Sequence, residues 1–106
     1  MTSKVALLIT PGAGASRDSP ALVAIERALE PVPVERMDFP YRKAGRKSPD
    51  RPPVLLAAVR EGAADLADRT GTAPDHLFVG GRSMGGRICS MAVADGLAAA
   101  GLVLVS

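Results

Sequence analysis

A chain of 106 residues with 47% apolar and 23% charged positions suffices for one small globular domain and is too apolar to stay disordered. A formal net charge of +2 is too small to argue for nucleic acid, and the single cysteine, Cys89, excludes an internal disulfide. The apolar stretch 5–9 is far shorter than a membrane span and ends in Thr10-Pro11-Gly12 rather than at a cleavage site, so a cytoplasmic protein without a membrane partner is expected.

Residues 4–10 (KVALLIT) form a continuous apolar run, as in a strand buried on both faces. The small residues Gly12, Ala13, Gly14 and Ala15 break it. A helix follows, with Ser19 as its expected N-cap and Pro20 at the first helical position, where a missing N–H costs nothing. Leu22, Ile25 and Leu29 share one face, and Pro31 and Pro33 end the helix. Residues 34–39 (VERMDF) read as a second strand. Residues 40–53, rich in Arg, Lys, Pro and Gly and without period, read as a loop. A second helix is expected from near Pro53, with Leu55, Leu56, Val59, Ala63 and Leu66 on one stripe and Gly71 closing it. Residues 75–80 carry the third strand, with His76 at its start. A third helix runs from Met84 to about Asp95, closed by Gly96, and residues 101–106 (GLVLVS) make a fourth strand. Alternation of buried strands with amphipathic helices predicts one α/β domain, a parallel sheet covered on both faces. The last strand would leave Leu102, Val103, Leu104 and Val105 on a bare sheet edge. The chain is therefore read as the N-terminal part of a longer domain.

The third strand runs directly into Gly81-Arg82-Ser83-Met84-Gly85, a G-x-S-x-G on the strand-to-helix turn that this motif requires. A nucleophilic serine at the apex takes a strained backbone, and glycine at Gly81 and Gly85 removes the collision that side chains would make there. Gly86 lets the next helix pack close to the strand. The helix N-terminus points its N–H groups at the site, and the Met84 N–H is the expected oxyanion donor. The bland alternative is a Gly-rich turn with Ser83 merely capping the helix.

Acyl transfer uses a second donor, and the loop after the first strand can supply it. The Ala13 N–H is the first choice and Gly14 the second. Two other readings of this loop exist. One is a simple tight turn. The other is a dinucleotide turn, with Gly12 and Gly14 near phosphates and Asp38 on a ribose; Arg17 at the third glycine position argues against it. No phosphate-binding P-loop is present, and no metal or other cofactor is expected.

With both loops placed, the sequence resembles the α/β-hydrolase superfamily. It is similar in particular to the small hydrolases related to dienelactone hydrolases and to the KANL and testis-expressed hydrolase-like proteins. Residues 7–16 (LLITPGAGAS), 39–55 (FPYRKAGRKSPDRPPVL) and 79–87 (VGGRSMGGR) carry the likeness. Only the segment 39–55 points to the narrower group. The likeness spans essentially all 106 residues but only the first half of such a domain. The resemblance implies a sheet in the order second-first-third-fourth, a nucleophile at Ser83, and oxyanion donors at Ala13 and Met84. Many relatives have His-Gly where this chain has Pro11-Gly12. Some members of the group are scaffolds in chromatin complexes, so a non-catalytic interaction module is the alternative to an enzyme.

A serine triad needs, after the nucleophile, an acid and then a histidine. Asp95 is the only acid after Ser83, and it reads as a solvated helix-end residue. The only histidine, His76, lies a strand length of about 20 Å away. Both partners are expected from sequence beyond Ser106. Tyr41 either lines a substrate pocket or, as the better reading, covers it. Arg42, Lys43, Arg46, Lys47 and Arg51 read as a solvated loop rather than an anion site. Cys89 reads as a core residue. The expected partner is a small carbonyl substrate, with no nucleic acid and an undetermined oligomeric state.

Overall fold

Alternate side chains of a strand point to opposite faces of its sheet, so an unbroken apolar run needs cover on both. The computed structural model, which describes residues 4–106, provides that cover for strand β1 (Ala6–Thr10), every residue of which is buried. Leu7 and Ile9 pack with Leu22 of helix α1 (Pro20–Leu29) on one face. Ala6 and Leu8 face a larger cluster formed by helices α3 (Pro52–Thr70) and α4 (Met84–Ala94) on the other.

Strand β1 is central, flanked by β2 (Val34–Arg36) and β3 (Leu77–Arg82), with β4 (Gly101–Val105) outside β3. All pairings are parallel, in the order β2-β1-β3-β4 that the family resemblance implies. On β4, Leu102 and Leu104 remain exposed. Thr10 stands opposite Gly81, and Gly81 opposite Leu104. The loops that leave β1 and β3 therefore emerge at one level on the same sheet edge.

Several local expectations are corrected. Strand β2 ends at Arg36 instead of running to residue 39. The segment 40–53 is not wholly a loop: Pro40–Lys43 is a short helix, α2, and α3 already begins at Pro52. One turn suffices because the Asp50 carboxylate accepts the Tyr41 N–H at 2.9 Å, satisfying a donor that a helix N-terminus leaves open. His76 lies in a 3-10 turn, Pro74–His76, and β3 starts after it and runs to Arg82. Ser19 occupies the N-cap position without a side-chain capping bond, and its Oγ is buried without a partner among the described residues. Gly71 closes α3 in the left-handed conformation, φ 66°, as expected of a C-terminal glycine.

Candidate active site

Ser83 sits between β3 and α4 with φ 52° and ψ −111°, the one non-glycine residue with positive φ among the described residues. Such a conformation costs on the order of 1–3 kcal/mol and persists only where its surroundings hold it. Here two contacts do so. The Ser83 N–H donates to the Val105 carbonyl of β4 at 3.0 Å, and its carbonyl accepts the Arg87 N–H at 3.0 Å, opening α4. Ser83 is exposed and makes no side-chain capping bond to the helix it precedes.

The elbow glycines are required by a neighbour as well as by each other. A Cβ on Gly81 would strike the side chain and carbonyl of Thr10 and come within 2.8 Å of the Gly85 carbonyl carbon. A Cβ on Gly85 would strike Thr10 again and lie 2.6 Å from the Pro11 carbonyl. Gly86 lets α4 lie against β3, since a Cβ there would sit 2.7 Å from the Gly81 carbonyl. Thr10 itself is buried and donates from Oγ1 to the Gly80 carbonyl at 2.9 Å. Sequence reasoning missed Thr10; a polar residue closing an apolar strand is the one signal it leaves.

Because β1 and β3 are in flush register, the loop after β1 meets the serine. A Cβ built on Gly12 would lie 3.7 Å from the Ser83 Cβ. The loop then closes a turn in which the Ala15 N–H donates to the Gly12 carbonyl at 3.1 Å, with Gly14 at φ 73°. A positive φ at the third residue only defines a type II turn, a position suited to glycine. The Gly14 N–H donates to the Tyr41 Oη at 3.0 Å. Among the described residues, the N–H groups of Ala13 and Met84 have no hydrogen-bond partner. Tyr41 is fully buried, so it covers the loop rather than lining a pocket. Its link to Gly14 spans 27 residues and left no sequence signal.

The remaining candidates lie elsewhere. His76 is at the far end of β3 from Ser83, and Asp95 is at the C-terminal end of α4, about 16 Å along the helix. Asp38 accepts the Arg17 N–H at 2.7 Å, and α1 starts at Pro20, well past Gly14. A dinucleotide turn needs a helix opening at the glycines, which this loop lacks, and here one oxygen of the Asp38 carboxylate is engaged by the loop itself. A cleft of about 350 Å³ opens beside Ser83, lined by Gly86, Arg87, Ser90, Leu104 and Val105. A larger cleft of about 570 Å³ lies between β2 and α3 and contains none of the predicted site residues.

Cys89 is buried beneath this turn, with its Sγ 3.4 Å from the Gly80 carbonyl and 3.8 Å from the Thr10 hydroxyl. Burial pushes its thiol up to about 11, with the Thr10 hydroxyl opposing slightly. A raised folded value means that the neutral thiol contributes its stability fully below about pH 9. That contribution is lost as pH rises toward 11, because the unfolded thiol ionises first. Relative to Cys89→Ala, the protein is expected to lose stability across this window at up to about 1.4 kcal/mol per pH unit. Urea unfolding of both proteins at pH 8, 9 and 10 checks it; parallel curves would contradict it.

A family model described as an alpha/beta hydrolase domain matches residues 3–106. The chain belongs to this alpha/beta hydrolase domain family. No curated protein and no solved structure matches it significantly. Among the described residues, no helix is long and apolar enough to cross a membrane.

Proposed function

We propose that the chain is the nucleophile-bearing N-terminal part of a serine hydrolase that cleaves an ester, thioester or amide of a small carbonyl substrate. Ser83 Oγ attacks the carbonyl carbon, and the N–H groups of Met84 and Ala13 stabilise the negative oxygen that forms. A histidine from sequence beyond Ser106 takes the serine proton and passes it to the leaving group. An acid from the same region orients that histidine. Water then releases the acyl group from Ser83. Within the family, the likeness of the segment 39–55 supports a position near the dienelactone-hydrolase-like and KANL-like group. The lone buried thiol suits a reducing, cytoplasmic compartment.

One observation carries this reading: a strained, exposed serine with positive φ lies against the glycine of the neighbouring loop. The competing reading, a non-catalytic hydrolase-like module, is favoured by the position of the only histidine at the far end of β3. Fluorophosphonate treatment of the full-length protein, followed by tryptic mapping, separates the two. Label is expected on the peptide containing Ser83. Label on another peptide, or none at all, would refute the enzyme reading.

A further inference from the structure

We infer that Tyr41 is a positioning residue for the oxyanion donor of the β1 loop, an inference that rests on the serine-hydrolase reading above. In a type II turn the peptide between the two central residues is flipped relative to type I. Here that peptide joins Ala13 to Gly14, and the Tyr41 hydroxyl holds its N–H at 3.0 Å. The bond commits the Gly14 N–H away from substrate and leaves the Ala13 N–H as the loop's donor. It also opposes the flip that would turn the Ala13 carbonyl around and change the loop beside Ser83.

Tyr41 is itself fixed at three points. Its side chain is fully buried, its N–H donates to Asp50 Oδ2 at 2.9 Å, and its carbonyl accepts the Arg46 N–H at 2.8 Å. Asp50 is held in turn by the Arg46 guanidinium at 3.4 Å. The same segment buttresses Gly14 from outside, since the Lys47 carbonyl lies 3.6 Å from where a Gly14 Cβ would be. Residues 40–51 thus brace the loop at Gly14, on the far side from its contacts with Ser83 and Gly85. A displacement of about 1 Å at a catalytic group can cost about 100-fold in rate, so a brace of this kind acts on the chemical step.

The test is Tyr41→Phe in the full-length protein, which keeps the ring and removes the oxygen. The rate constant for phosphonylation of Ser83 is expected to fall at least about tenfold, within the range for a misplaced group. The reversible binding constant of the fluorophosphonate should stay within about twofold, because ground-state binding does not use the oxyanion donor. Hydrogen exchange at the Gly14 amide should accelerate in parallel. Leu66→Val, in the core of α3, serves as a control for lost stability and should leave the rate constant unchanged. If Tyr41→Phe does not fold, Gly14→Ala tests the same turn, because an L side chain at φ 73° strains the type II form. Wild-type phosphonylation kinetics in whichever variant folds, with Ser83 still labelled, would overturn the inference and leave the hydrolase reading standing. Absence of label on Ser83 in the wild type would overturn both.

Discussion

Replacing Ala13 with proline is expected to lower acyl transfer by the full-length protein about 10²–10³-fold, the usual effect of losing one oxyanion donor. The fold should be as stable as before, or more so. Ala13 is the second residue of a type II turn, the position at which proline is favoured. Its N–H has no partner among the described residues, so proline removes a donor without breaking an internal bond. The preceding residue is glycine, which tolerates the restriction that proline places on its neighbour. A compatible proline also reduces the freedom of the unfolded chain, adding about 0.4–1 kcal/mol. The loss should fall on kcat with KM little changed, since the donor acts on the transition state. Ala13→Gly, which keeps the N–H, should behave nearly as the wild type. Steady-state kinetics with p-nitrophenyl acetate, together with urea unfolding, decide the matter. An unimpaired proline variant would place the second donor elsewhere.

The second large effect concerns stability. Gly85→Ala is expected to destabilise the protein by about 3 kcal/mol, the upper end of the usual range for overpacking, because the atoms it meets cannot move aside. The new methyl would meet the Thr10 side chain and the Pro11 and Thr10 carbonyls, the latter two at 2.6 and 2.8 Å. These are backbone atoms at the end of the central strand, not the tip of a flexible side chain. Gly96→Ala is the instructive comparison. Gly96 has φ 104° but open space around its Cβ position, so only conformational strain of about 1–2 kcal/mol is at stake. Urea denaturation of both variants should rank Gly85→Ala as the more damaging. A Gly85 variant within 1 kcal/mol of wild type would mean that the sheet edge can yield at Thr10.

The elements that were legible in the sequence owe their signals to their neighbours along the chain. Strand β1 announces itself by the apolar run of residues 4–10, and α3 by its apolar stripe and the glycine at 71. The serine turn was legible for the same reason: strand, glycines and helix are contiguous. Helix α2 was not, because one turn of helix is held by the remote Asp50 carboxylate rather than by its own composition. The β1 loop was legible as a run of small residues, but not which of its amides is free. That depends on Tyr41, which reaches Gly14 across 27 positions. The role of Thr10 was hidden likewise, since it meets Gly81 and Gly85 only through the β1–β3 register.

The bond from the Ser83 amide to the Val105 carbonyl has a consequence for dynamics. It ties the conformation of Ser83 to the seating of β4. Whatever peels β4 from β3 also frees Ser83 to relax out of its positive-φ conformation. A segment or ligand that holds β4 in place would, by the same coupling, hold Ser83 in that conformation.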